Sequence, residues 1–330
     1  MKKQILISKV IILSYIIILY ILLIIKIQIN LNNIDKVSIK KSDNIKSYIN
    51  ENCSTKDNKE NNKCFISFDN PNLRIAHFIL TRFLINFWKG NGFPNKMYTQ
   101  DYITNGIRVM HKYLLPSLEN QLCKNFTWIL LLGNEANITY IKSELNFNYS
   151  FEYTIVYQKN LYDFLKKLSN NLDVLITTRI DYDDRIYYDA VNDVRKTINI
   201  YKPIVIHGYN RGVCFKESNG EYYEFYRSHQ NEGASSVFAS LIIILDKVND
   251  IYTIYDLSGH PYIRKTFLKR YKSFGIKELD YEPAVFDSGS PKFVWVRQNY
   301  SGLNNSHIPF YLKQNKTHFN LNIFYGKKII

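Results

Sequence analysis

Short, uninterrupted apolar runs alternate along this chain with stretches of helical periodicity, and that alternation limits the fold more than any other feature. Trp128 to Leu132 is a block of large apolar residues closed by Gly133-Asn134, too short for a buried helix and bounded as a buried strand is. Before it, Ile107, Met110, His111, Leu114, Leu118 and Leu122 recur at three- and four-residue intervals and predict a helix from Ile107 to Leu122 with Pro116 as a kink. Leu73 to Leu84 predicts the first buried strand. The pattern then repeats: Phe151 to Val156 as a strand, Leu161 to Leu168 as a helix, Asp173 to Thr177 as a buried strand, and Asp184 to Ile200 as a helix. Strand, helix, strand in this order predicts an α/β fold, a mixed and mostly parallel sheet flanked by helices. After Pro203 the expected strands are shorter and more aromatic, at Pro203 to His207, Val213 to Phe215, Tyr222 to Tyr226 and Val237 to Leu245. With no internal repeat and no second linker, residues 71–330 read as one domain.

The amino-terminal part reads differently. Val10 to Ile25 carries no charge, and Ile5 to Ile7 extends the apolar stretch beyond Ser8 and Lys9; about 20 such residues cross a bilayer core as a helix. Residues 1–27 therefore predict a short cytoplasmic tail and a transmembrane signal anchor, longer than the ~7–15 residues of a cleaved signal's apolar region. Lys2, Lys3 and Lys9 are balanced by Lys26, Lys36, Lys40 and Lys41, so flanking charge leaves orientation open. A single-pass type II arrangement, with the large domain luminal or extracytoplasmic, is expected because long domains translocate largely regardless of charge. Residues 28–70, rich in Asn, Lys, Asp and Ser, predict a flexible stem.

Composition narrows the function. The net charge of +14 is spread among Asn, Ile and Tyr without a basic run, which argues against nucleic acid and suits an anionic diphosphate or membrane surface. None of the four cysteines sits in a C-x-x-C pair, which argues against zinc. Cys53 and Cys64 either close a short disulfide loop or remain thiols, depending on the compartment.

Chemistry concentrates in Thr177-Thr178-Arg179-Ile180-Asp181-Tyr182-Asp183-Asp184-Arg185. Clustered carboxylates repel unless a cation compensates, and hard cations such as Mg²⁺ use one or two carboxylates plus substrate phosphates. In an extended segment Asp181 and Asp183 share a face, while Asp184 points away or caps the next helix. Such a pair is suited to bridging a diphosphate through a metal. Arg179 and Arg185 flank it as candidate phosphate contacts. The plain alternative is a helix cap beside a solvated turn.

Three segments carry a resemblance: HFILTRF at His77 to Phe83, LLPSLENQLCKNFTWILLLG at Leu114 to Gly133, and TTRIDYDDR at Thr177 to Arg185. Together they resemble the rhamnosyltransferase-type glycosyltransferases of the GT-A fold, from about Leu73 to about Asn299. The resemblance implies a nucleoside diphosphate sugar donor bound by the first half of the sheet, with Thr81 and Arg82 near the nucleotide. It also implies Mn²⁺ or Mg²⁺ at Asp181 and Asp183, and a glycan or other hydroxyl acceptor held by the second half. Tyr182 stands where Asn is expected and Gln298 where His is usual.

An inverting transferase also needs a carboxylate base within reach of the acceptor hydroxyl. Glu232, Asp256, Asp280, Glu282 and Asp287 are candidates, and Asp256 is the first choice by analogy with the family. His260, between Gly259 and Pro261, fits a loop better than a metal ligand. Trp128, inside an apolar run, is expected in the core rather than as a sugar platform. The competing readings are a catalytically silent, membrane-tethered carbohydrate-binding protein, and a Mg²⁺-dependent phosphoesterase.

Overall fold

The computed structural model describes residues 72–85, 97–145, 148–218, 220–226, 238–257, 263–287, 291–297 and 316–317, which belong to a compact unit spanning Thr55–Ile330. The expected membrane anchor and stem, Cys53, Cys64, Glu232 and His260 lie outside the described residues. Among the described residues no helix is long and apolar enough to cross a membrane.

The apolar runs become the central strands: β1 (Ile75–Phe83), β2 (Thr127–Leu132), β3 (Glu152–Tyr157) and β4 (Val174–Arg179). All six residues of β2 and of β4 are buried, as expected of strands covered on both faces. These strands pair in parallel, β2 and β4 flanking β1 and β3 beyond β2. β9 (Ala239–Ile244) joins β4 antiparallel, and β6 (Ile204–Tyr209) and β10 (Ala284–Asp287) follow. The sheet order is β10-β6-β9-β4-β1-β2-β3. The expected mostly parallel α/β sheet is therefore present.

On one face, Ile79 and Phe83 of β1 and Leu130 and Leu132 of β2 pack with Ile107 and Met110 of helix α1 (Gln100–Lys112), Leu114 of α2 (Leu114–Glu119), Ile141 of α3 (Ile138–Glu144) and Val191 and Val194 of α5 (Ala190–Arg195). On the other, Phe78 meets Phe164 of α4 (Leu161–Ser169) edge-on at 6.5 Å. Trp128 is fully buried, as expected.

Three helix boundaries differ from expectation. The Ile107–Leu122 helix is two helices, and the break falls at Tyr113 (φ −120°, ψ −65°), not at Pro116. Pro116 lies in the first turn of α2, where a missing N–H costs nothing. The long helix after the acids shrinks to α5, because Arg185–Ile186 forms a short strand, β5, paired with β11 (Phe293–Arg297). Helix α3 carried too few apolar residues to be seen; Asn137 caps it, its side chain accepting from the Tyr140 N–H at 3.1 Å.

A second sheet, ordered β12-β8-β7-β11-β5, holds β7 (Arg211–Lys216), β8 (Glu221–Tyr226) and β12 (Lys316–Thr317). Gly212 is required there, since a Cβ would lie 2.3 Å from Phe293 Cζ.

Gly106 in α1 faces Phe83, with a Cβ position 2.5 Å from Phe83 Cε2. Ala at a helix interior is worth ~1 kcal/mol over Gly, whereas overpacking costs ~1–3 kcal/mol. The ring is 2% exposed and cannot swing away, so Gly106→Ala is expected to lower stability by about 1 kcal/mol in thermal unfolding. A more stable variant would show that the ring yields.

A buried polar row crosses the sheet. His77 Nε2 lies 2.7 Å from Thr178 Oγ1, which lies 2.6 Å from Ser240 Oγ, and Ser240 is in register with His207 of β6. Burial, with Arg195 and His207 adding, lowers the His77 pKa from 6.5 to about 3. The unfolded chain then binds a proton below pH 6.5 that the folded chain refuses, so stability falls as pH drops from about 6.5 toward 3. Wild type is expected to lose urea resistance across that range more steeply than His77→Gln; parallel slopes would remove His77 as the cause.

Candidate active site at the carboxyl edge of the parallel strands

β1 and β4 run side by side, with Leu80 in register with Arg179, so Leu80, Arg82 and Arg179 share a face. The chain then continues into the acids as a turn rather than an extended segment: the Asp184 N–H donates to Asp181 O at 3.2 Å. The Ile180 N–H donates to Leu80 O at 3.1 Å, fixing the start of the turn to β1.

Tyr182, between the two candidate ligands, anchors the turn. Its ring meets Phe83 edge-on at 5.4 Å, and its hydroxyl shares a hydrogen bond with Tyr102 of α1. Burial, with Asp183 adding, raises its pKa well above 10.0. Pulling this phenol into the interior leaves Asp181 and Asp183 half-buried at the rim.

Asp184 has a different task from the expected helix cap. It is 2% exposed and accepts the Val296 N–H at 3.1 Å, tying the acidic turn to β11 of the second sheet. Arg185 also turns away from the candidate site. It donates from Nη2 to Lys112 O at 3.1 Å and lies 4.8 Å over the Tyr113 ring, securing the end of α1. Tyr113 in turn donates to Glu217 at 2.5 Å, as does Lys112.

Of the residues expected near the nucleotide, Thr81 is fully buried and accepts from Trp128 Nε1 at 3.0 Å, so it serves the core. Arg82 is at the rim. Its guanidinium stands 4.3 Å over the ring of Tyr255, and that of Arg179 stands 5.5 Å from the same ring. Arg179 Nε lies 3.8 Å from Asp181 Oδ1. Burial lowers the Arg82 pKa and Arg179 adds to it, while Tyr255 and Asp181 oppose the shift.

Asp256 belongs to the 3-10 turn Ile254–Leu257. Its Oδ2 accepts from Thr253 N–H at 2.6 Å and Thr253 Oγ1 at 3.2 Å, and its Oδ1 from Tyr162 O–H at 2.6 Å. The carboxylate is committed to capping that turn, which gives no support to Asp256 as a base. Glu282 is held by Arg264 at 2.8 Å and 3.0 Å.

Among the described residues no three His, Cys, Asp or Glu side chains form a metal cluster. Two carboxylates at a polar rim fit a hard cation that takes the rest of its shell from phosphate and water. They do not fit zinc. An open cavity of about 330 Å³, lined in part by Lys166, Asn170, Asn249 and Asp250, lies beside the start of β4, where Leu245 N–H donates to Asp173 O at 3.0 Å. That is the opposite end of the strand from the acids.

Two features were beyond the sequence. Tyr255 carries no signal among 27 tyrosines. Leu84, at the end of β1, has φ 56°, an unfavourable backbone for a side chain with Cβ. Its carbonyl accepts from Tyr98 O–H at 3.2 Å and would lie 2.3 Å from a Cβ at Gly133, so the ends of β1 and β2 are locked together beside the site.

Residues 94–243 match a family model described as "Putative rhamnosyl transferase". No curated protein matches the chain in sequence. Among solved structures, a "Putative Glucose-1-Phosphate Thymidylyltransferase" from Bacillus anthracis is 14% identical, with TM-score 0.35, over 72% of this chain and 97% of that one. TarS 1–349 from S. aureus, in complex with UDP, is 12% identical, with TM-score 0.33, over 68% of this chain and 61% of that one. Likeness at these TM-scores carries no argument about this chain; the family match does. Over residues 94–243, which hold β4 and the whole acidic turn, the chain is similar to the family described as putative rhamnosyl transferases, and its activity is that of a glycosyltransferase.

Proposed function

We propose that this glycosyltransferase is metal-dependent, taking a sugar, a deoxyhexose such as rhamnose being the first candidate, from a nucleoside diphosphate donor to a hydroxyl of a glycan or glycoconjugate. The observation that carries the reading is the placing of Arg82, Arg179 and Asp181 at the carboxyl edge of adjacent parallel strands, where open α/β sheets bind ligands, with Asp183 two residues on in the same turn. Asp181 and Asp183 would hold Mn²⁺ or Mg²⁺. A cation there supplies charge neutralisation for the departing diphosphate. Arg82 and Arg179 bring positive charge to the same edge, in a partly dry setting where it acts more strongly than in water. Tyr182 keeps the carboxylates outward by filling the interior beneath them.

The proposal includes the anchor. Val10 to Ile25 would hold the chain in a membrane, with the catalytic domain luminal or extracytoplasmic. Cys214 is a buried thiol.

The test is release of nucleoside diphosphate from a panel of nucleoside diphosphate sugars by the full chain in detergent, with Mn²⁺ or with a chelator. One donor is expected to be turned over, and only with metal. No release from any donor in either condition would overturn the reading.

A further inference from the structure

Arg82 and Arg179 are like charges at the ends of adjacent strands, and like charges brought together at a partly dry edge repel. One aromatic ring serves both. Tyr255 lies 4.3 Å from the Arg82 guanidinium and 5.5 Å from that of Arg179, and cations are attracted to the face of such a ring. The ring is itself fixed. Its hydroxyl donates to Leu80 O at 3.1 Å, the same carbonyl that accepts the Ile180 N–H at 3.1 Å from the start of the acidic turn. The turn behind it is capped by Asp256 and bound to β4 through Ile254 N–H, which donates to Thr177 Oγ1 at 2.9 Å.

Resting on the transferase reading above, we infer that Tyr255 is a positioning residue for donor binding: its ring holds the Arg82 and Arg179 guanidiniums in place as two cations for the diphosphate of a nucleoside diphosphate. Without the ring, the guanidiniums separate to relieve repulsion, and the entropy of ordering two long side chains falls on the binding step. A diphosphate is the matching ligand, since it offers two adjacent anionic groups and guanidinium forks bind phosphate well. Tyr255 touches no reacting atom in this account, so its loss raises the donor KM more than it lowers kcat.

The experiment uses the full chain and inorganic pyrophosphate with Mn²⁺, measured by calorimetry, for wild type, Tyr255→Phe, Tyr255→Leu and Arg82→Gln, with thermal unfolding of each. Tyr255→Phe keeps the ring but loses its hydroxyl's hydrogen bonds with Leu80 O and Arg82, and is expected to bind more weakly than wild type and more tightly than Tyr255→Leu. Tyr255→Leu keeps apolar volume without the ring face and is expected to bind about tenfold more weakly, as is Arg82→Gln, on the scale of a partly desolvated cation–π contact. If Tyr255→Leu does not fold, Tyr255→Met, which also keeps apolar volume without a ring, takes its place in the same comparison with Tyr255→Phe. Equal binding by wild type and a folded Tyr255→Leu, with Arg82→Gln impaired, overturns the inference alone. A wild type that binds no pyrophosphate overturns the inference, while the transferase reading falls only if no donor is turned over.

Discussion

Replacing Asp181 and Asp183 together by Ala is expected to lower donor turnover by ~10³-fold, because loss of even one preorganised electrostatic stabiliser costs 10²–10³ and here the metal site goes with it. Stability should fall far less than turnover. The Asp181 side chain is 34% exposed and its contact with Arg179 is long at 3.8 Å, but the Arg179 side chain is 6% exposed, so the loss is expected at about 1–2 kcal/mol, between a surface pair and a broken buried one. Asp184→Ala gives the opposite profile. That carboxylate is buried on the Val296 N–H, and leaving the amide unsatisfied costs ~1–3 kcal/mol. Thermal unfolding and initial rates on the two variants separate a binding pair from a structural third acid. A double variant with wild-type turnover would remove the metal role from this turn.

Phe83→Ala is expected to produce the largest loss of stability, ~3–5 kcal/mol from lost transfer energy and the cavity left behind. The ring is 2% exposed and lies against both Gly106 of α1 and Tyr182 of the acidic turn. Removing it leaves Tyr182 without its partner across the interior, so turnover should fall with stability. Gly106 then faces empty space, and Gly106→Ala, destabilising alone, should become neutral or favourable in the Phe83→Ala background. That sign reversal is readable in urea midpoints, and simple additivity would contradict the contact.

The first half of the sheet was legible in the sequence because its strands are buried on both faces, and such strands write themselves as unbroken apolar runs, as at Trp128–Leu132 and Val174–Ile176. The kink at Tyr113 was not legible, since Pro116 offered a false explanation that the first turn of α2 tolerates. Nor was the strand at Arg185–Ile186, whose two residues are held by β11 more than 100 residues further along. The acidic turn could be located as the segment that follows the buried strand β4; a metal at Asp181 and Asp183 stands as the proposal. Roles for single residues could not be read. Thr81 and Arg185 carry the right chemistry, yet Trp128 and the Lys112 carbonyl take their polar atoms. Asp256 is drawn into a cap by its neighbour Thr253. Tyr255 acts through which cations the fold sets beside it, a long-range outcome with no local pattern.

Calorimetric titration of the full chain with UDP, GDP, CDP and dTDP, each with Mn²⁺ and with a chelator, tests the central claim most directly. Binding of one nucleoside diphosphate that requires Mn²⁺ is the predicted result. Binding of none, or binding unchanged by the chelator, would contradict a diphosphate site built on Asp181 and Asp183.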